Sequence, residues 1–310
     1  MYNTSFTIMI YISILVFIII IVISGLYYNY NKSKNIEHFI SSRLNYIKVL
    51  AITYDTDVNN PHINNLINMF TKYNYNYTVL GNGDTWNGWY GRALAYKEYI
   101  NTLDDNTYIL LCDGRDVVIN QDSSTFIKKI LECRISNGNR IIVGTETGCC
   151  TIPMPDIIYK AKNITENINF ILEYIRQQKS GNKYNNAFNY INFGLMCGKA
   201  VEFKNLFNIL NIQPGEDDQA ILHKLYYEDP KLLILDYNQE ILSNASHDKN
   251  SLIKYDNTEF CYYKWDSIKL AFKNTITNTY PSVIQTPAKN WDCYKLLANK
   301  LLPNPQFVEN

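Results

Sequence analysis

The chain is short of most features that would narrow its function quickly. Its 310 residues carry 29 Lys and Arg against 29 Asp and Glu, a formal net charge of zero. Nothing in that balance favours a nucleic acid as partner. Seven cysteines, at 112, 133, 149, 150, 197, 261 and 293, include no CxxC pair, which argues against a structural zinc site. Cys112 and Cys197 lie inside apolar runs and read as buried free thiols, so the cysteines leave the compartment open. No fixed-period repeat appears. Charge is missing altogether from Phe6 to Tyr28, FTIMIYISILVFIIIIVISGLYY.

That uncharged stretch is long enough to cross a hydrocarbon core about 30 Å thick as a helix. A cleaved signal peptide is the competing reading. It fits less well, because no Lys or Arg precedes the run and no small-x-small site closes it. The expected organisation is a short tail (1–5), a single-pass membrane anchor (6–28), a polar stem (29–46) and a body (47–310). Lys32, Lys34, Arg43 and Lys48 follow the anchor and favour a cytosolic body, partly offset by Glu37. Lumenal and cytosolic orientations both stay open.

The body is long enough for one α/β domain with a proper core. Strand patterns are expected at Ile47–Thr53, Tyr77–Leu80, from Tyr108, Arg140–Gly144, Ile191–Cys197, Leu232–Leu235 and Ser282–Ile284. Helical patterns are expected at His62–Tyr73, Arg92–Leu103, Ser123–Cys133 with Ser123 as cap, Asn167–Gln178, Asp218–Tyr226 and Trp291–Leu301. Strands alternating with helices imply a largely parallel sheet, whose ligands gather at the carboxyl ends of strands.

Asp113 stands at such an end, in YILLCDGRDVVIN (108–120). The dipeptide Asp-Gly between apolar runs is also a type I′ hairpin signal, which would leave Arg115 and Asp116 merely solvated. On the functional reading, the D-x-x-D pair Asp113 and Asp116 faces one hard divalent cation, Mg²⁺ or Mn²⁺, which keeps further positions for water and phosphate oxygens. Nucleotide-sugar transferases of the GT-A type use this arrangement. Three further stretches bear on the choice. NYINFGLMCGKA (189–200) places Asn192 and two glycines where backbone can approach a ligand. EDDQAILHKLYYEDP (216–230) opens a helix with acids, Asp217 and Asp218 among them, which could serve only as caps. GDTWNGWYGRALAYKEY (83–99) offers Trp86 for stacking and Lys97 for phosphate, although a lone helical Lys is usually solvated.

Taken in order, these stretches resemble the glycosyltransferase domain of the procollagen lysyl hydroxylases. The likeness runs from about Val49 to Leu302 through the strand ending at Thr53, NYTVLGNGDTW, Lys97, DGRD, ETGCCTIP, YINFG, DDQ and LDYNQEILSN. The resemblance implies a GT-A-like, Rossmann-like fold and a UDP-sugar donor. It implies Mn²⁺ (or Mg²⁺) on Asp113 and Asp116, and nucleotide contacts from Thr53, Trp86 and Lys97. Asp217 and Asp218 would lie beside the reacting sugar or the acceptor. Galactose or glucose would pass to a protein or glycan acceptor, such as hydroxylysine in collagen-like chains. None of His38, His62, His223 or His247 begins an H-x-D iron motif, so no hydroxylase chemistry is expected.

One departure matters. The family closes its metal site with a His after a strand like PSVI, and Gln285 stands at that position here, followed by Thr286 and Pro287. An amide oxygen is a weaker donor to Mn²⁺ than imidazole, and Pro287 removes a backbone N–H. Lys289 would compensate electrostatically. Gln285 is thus expected as a weakened third ligand. The alternative is a catalytically silent protein that keeps a nucleotide or glycan pocket.

Overall fold

The computed structural model describes residues 18, 19, 21, 22, 24–28, 34, 47–147, 177, 180–184, 188–245, 261–287 and 290–308. The chain divides into two compact units, Met1–Tyr46 and Ile47–Asn310. In the first, every described residue is helical, and Ile18, Ile19, Ile21, Val22 and Leu26 are exposed. The expected anchor at 6–28 otherwise lies outside the described residues, and among the described residues no helix is long and apolar enough to cross a membrane.

The second unit is a mixed α/β domain. Eleven strands are described: β1 Val49–Tyr54, β2 Asn76–Leu80, β3 Tyr108–Cys112, β4 Val117–Ile119, β5 Ile141–Glu146, β6 Tyr190–Lys199, β7 Leu233–Asp236, β8 Leu242–Asn244, β9 Tyr263–Asp266, β10 Ala271–Asn274 and β11 Val283–Gln285. The helices are α1 Pro61–Lys72, α2 Gly88–Asn101, α3 Ser123–Asn137, α4 Ala200–Ile209, α5 Asp218–Glu228 and α6 Trp291–Leu301. The main sheet runs β2-β1-β3-β6-β5-β8-β11-β4, with β7 also beside β5. Its pairs are parallel except β3 with β6, β5 with β6, and β11 with β4. The sheet is thus mostly parallel, as expected, with β6 running antiparallel in its middle. Strands β9 and β10 form a separate antiparallel hairpin.

Local chemistry explains the element ends. Asn60 accepts from the His62 N–H at 3.0 Å, and Pro61 at the first helical position starts α1. Asp122, and not the expected Ser123, caps α3 by accepting from the Thr125 N–H at 2.9 Å. Gly81, at φ +82, ends β2 under the Tyr54 ring, where a Cβ would come within 2.5 Å of ring carbons. One core gathers Ile52, Tyr96, Ile109, Leu111, Val143, Met196, Phe203 and Leu222 from the sheet, α2, α4 and α5. Apolar side chains of α1 and α6, among them Leu66, Phe70, Tyr294 and Leu297, are likewise buried. A disulfide joins Cys261 to Cys293, with Cα atoms 5.0 Å apart, and so ties the chain ahead of β9 to the first turn of α6. Cys112 and Cys197 are buried free thiols, as expected from their apolar runs. The helix expected at Asn167–Gln178 lies outside the described residues except for Gln177, and so does the ETGCCTIP loop beyond Thr147.

Candidate active site

Asp113 leaves β3 directly, and its N–H donates to the Gly194 carbonyl at 3.0 Å, extending the β3–β6 ladder by one residue. The chain then turns through Gly114 and Arg115 into β4. Strands β3 and β4 do not pair with each other: β3 lies between β1 and β6, while β4 pairs with β11. The hairpin reading of Asp-Gly is therefore excluded. Because β11 runs antiparallel to β4 with Gln285 opposite Val117, Gln285 arrives beside Asp116. The Thr286 N–H locks that approach by donating to the Asp116 carbonyl at 2.8 Å.

The three expected ligands meet. Gln285 Nε2 donates to Asp113 Oδ2 at 2.7 Å and lies 3.4 Å from both Asp116 carboxylate oxygens. Arg92, absent from the expected set, donates from Nη1 to Asp113 Oδ1 at 2.5 Å. The same guanidinium donates to Asp218 Oδ2 from Nε at 3.1 Å and from Nη2 at 2.5 Å. It is buried between rings, 4.5 Å from the Trp89 centroid and 5.2 Å from that of Phe193. Burial, with the Asp113 carboxylate beside it, raises the pKa of Asp116. Burial also outweighs the Arg92 guanidinium at Asp218 and pushes that carboxyl up to about 6.

Asp113, Asp116 and Arg92 line a cleft of about 700 Å³ at the carboxyl ends of β1 and β3, together with Tyr54, Asp55, Thr56, Trp86, Trp89, Arg115 and Trp291. Its volume falls within the range of small-ligand sites. Trp86 and Trp89 cross edge to face at 5.2 Å, and both are partly exposed to the cleft. At the mouth, Arg115 clasps the buried Asp55 through two bonds of 2.7 Å. The Arg115 carbonyl bonds to His62 Nδ1 at 3.1 Å, and His62 in turn stacks on Tyr294 and meets Trp291 edge-on at 4.6 Å.

The remaining expected residues are placed differently. Asp217 caps α5 by accepting from the Ala220 N–H at 2.9 Å, so of the two adjacent acids one caps and the other meets Arg92. Thr53 is fully buried beside the Cys112 thiol and does not line the cleft. Lys97 also stays out of the cleft lining. It lies five residues beyond Arg92, well around the α2 axis, whereas Tyr96 shares the buried face of Arg92. Lys289 lies outside the described residues. Asn192 joins a second centre: it donates to Glu146 Oε2 at 3.2 Å, while Gln219 donates to Glu146 Oε1 at 2.9 Å. Burial pushes the Glu146 carboxyl up to about 7.

Arg92 and Glu146 are the residues that sequence reasoning missed. Helical phase carried a signal for Arg92, four residues before Tyr96 in a face that continues to Ile100. Glu146 ends an apolar strand, as Asp113 does after β3.

A divalent cation suits this centre on the evidence of its own atoms. Gln285 Oε1 is buried without a hydrogen-bond partner. Gly194 leaves a notch opposite, where a Cβ would lie 2.4 Å from Gln285 Nε2, 2.5 Å from Gln285 Oε1 and 2.6 Å from Asp113 Oδ2. Two carboxylates and an unused amide oxygen make a hard, all-oxygen donor set.

The fold is thus an α/β domain with an acid-lined cleft at the carboxyl ends of its strands. The resemblance seen in the motifs holds in direct comparison with known proteins. The chain is 23% identical over 247 residues to a multifunctional procollagen lysine hydroxylase and glycosyltransferase of Caenorhabditis elegans, covering 76% of this chain and 30% of that protein. The chain therefore spans about a third of the length of that relative. No protein-family model matches the chain. Among solved structures, a glycosyltransferase involved in the glycosylation of the major capsid of PBCV-1 aligns with a TM-score of 0.43 and 10% identity, over 81% of this chain and 98% of that one.

Proposed function

We propose that the body is a metal-dependent hexosyltransferase that moves galactose or glucose from a UDP-sugar to a protein or glycan acceptor. The observation that carries this reading is the convergence of Gln285 on Asp113 and Asp116, two acids that line a cleft with aromatic walls. Similarity to a relative named as a glycosyltransferase supports the class of reaction.

Asp113, Asp116 and Gln285 would hold Mn²⁺ or Mg²⁺, which when bound supplies charge neutralisation at a departing diphosphate. The chain's own groups do the rest. Arg92 is a fixed cation on the cleft wall, already desolvated and held by two carboxylates, so it offers positive potential without reorganising. Trp86 and Trp89 present ring faces and edges for a base or sugar. Asp218, held by Arg92, would lie towards the acceptor. Glu146, buried behind this centre with a pKa near neutrality, is a group that can exchange a proton around pH 7.

The stretch Phe6–Tyr28 would anchor the protein in a membrane, and the Cys261–Cys293 disulfide favours a body on the oxidising side. The second reading, a silent nucleotide- or glycan-binding protein, draws on one observation: the amide hydrogens of Gln285, not its oxygen, face the carboxylates. Turnover of UDP-galactose and UDP-glucose by the full chain with Mn²⁺ separates the two. The transferase reading expects Mn²⁺-dependent release of UDP that Asp113→Ala and Asp116→Ala abolish. No release from the parent at saturating Mn²⁺ leaves the binding protein.

A further inference from the structure

Arg92 bonds to Asp113 Oδ1 and Gln285 to Oδ2, and each oxygen keeps a further lone pair. The Gln285 NH₂, however, lies within 3.4 Å of oxygens of both acids, so a cation that bridges Asp113 and Asp116 enters where a donor now sits. Arg92 cannot readily leave. It is buried, makes two further bonds to Asp218, and lies against Trp89 and Phe193. Gln285 is held far more loosely: Nε2 has one short contact and two at 3.4 Å, and Oε1 has none.

From this asymmetry we infer that Gln285 is the moving ligand of the site: its amide turns over when a cation binds, bringing Oε1 onto the metal, and the resulting all-oxygen site takes Mg²⁺ nearly as readily as Mn²⁺. The inference rests on the metal-dependent reading above and deepens it. Without a cation the NH₂ must face two carboxylates, because an oxygen there would repel both. With a cation between them the preference reverses, and the orphaned Oε1 gains a partner. A half-turn about the terminal side-chain torsion exchanges the two ends, and that torsion is soft and nearly two-fold. The exchange needs no displacement of β11, which its ladders to β4 and β8 hold in place. Gly194 is what leaves room for the turning amide, since a Cβ there would sit within 2.5 Å of both amide atoms.

Metal preference follows from donor chemistry. An imidazole favours the borderline ions over Mg²⁺, whereas carboxylate, amide and phosphate oxygens discriminate much less among hard ions. Gln285 therefore broadens the choice of metal at the expense of affinity for Mn²⁺.

The test is a Mn²⁺ titration of the full chain with UDP present, following the electron paramagnetic resonance signal of free Mn²⁺, then displacement by Mg²⁺. The parent and Gln285→His are compared, together with the amide signals of a Gln side-chain ¹⁵N-labelled parent with and without Mg²⁺. The expected result is that Gln285→His raises the ratio of Mn²⁺ to Mg²⁺ affinity on the order of tenfold. In the parent, Mg²⁺ should shift one Gln side-chain amide pair that is missing from the spectrum of Gln285→Leu. Equal ratios in the two proteins, or no such shift on Mg²⁺ saturation, overturn the moving ligand. If the parent with UDP takes up neither ion, the metal-dependent reading itself fails, and this inference with it.

Discussion

Two buried carboxylate centres lie on either side of the YINFG segment, and they handle charge in different ways. At Asp113, Asp116 and Asp218 the acids are met by a full cation, Arg92, and one amide, Gln285. At Glu146, among the described residues, the side-chain partners are two amides, from Asn192 and Gln219. An amide bonds a carboxylate without cancelling its charge, so burial dominates and Glu146 keeps its proton up to about pH 7. The first centre is organised around positive charge and the second around a proton. Asn192 links them, since its Oδ1 accepts from the Gly194 N–H at 2.8 Å while its Nδ2 reaches Glu146.

The largest expected effect comes from removing the cation. Arg92→Ala leaves Asp113 and Asp218 buried without their partner and should cost about 3–5 kcal/mol of stability, read by chemical denaturation. Asp218→Asn in the same chain should recover part of that loss, because it removes one of the stranded charges. No recovery would mean that Arg92 acts mainly through its packing on Trp89 and Phe193.

Glu146 comes next, and its effect depends on pH. Its carboxyl is raised from 4.5 in the unfolded chain to about 7 in the fold. The folded protein therefore binds more protons between those values, and this stability is fully present below pH 4.5 and lost as pH rises through 7. The loss amounts to roughly 3 kcal/mol for this group. Glu146→Gln should flatten that decline in denaturation curves measured across the window. An unchanged slope would place the proton elsewhere.

A smaller effect tests the notch between the centres. Gly194→Ala forces a Cβ against the Gln285 amide and Asp113, an overpacking worth about 1–3 kcal/mol. It should weaken Mn²⁺ binding more than UDP binding, as calorimetry on both ligands would show. Smallest of all is Lys97→Ala. Lys97 lies outside the cleft lining, so stability should move by no more than about 0.5 kcal/mol and UDP affinity should stay unchanged. A clear loss of UDP affinity would bring Lys97 back to the diphosphate.

The same contrast explains how much could be read from the chain. Asp113 and Asp116 were legible because they stand between two short apolar runs, Asp113 at the carboxyl end of its strand, where sites form in α/β sheets. Gln285 was legible only through the resemblance, which puts a metal ligand at its position. Trp291–Leu301 was legible to its bounds because its apolar period is regular. The direction of β6 was not, because a buried strand reads alike whether its neighbours run parallel or antiparallel. The hairpin of β9 and β10 and the three-residue strands β4 and β8 were too short to carry a period. Arg92 escaped for another reason. Helix α2 is weakly amphipathic, and a cation in it reads as solvated until tertiary contact brings two acids to it.

The proposed reaction requires Asp113 and Asp116 to share a divalent cation with a nucleotide diphosphate. The most direct measurement is calorimetry of UDP binding, with and without saturating Mn²⁺, on the full chain and on Asp116→Asn. Burial already favours the neutral form of Asp116, so the amide should fold as the parent does. Mn²⁺ should tighten UDP binding by the parent at least about tenfold and leave that of Asp116→Asn unchanged. Equal UDP affinity of the parent with and without Mn²⁺, or an undiminished Mn²⁺ effect in Asp116→Asn, would contradict it.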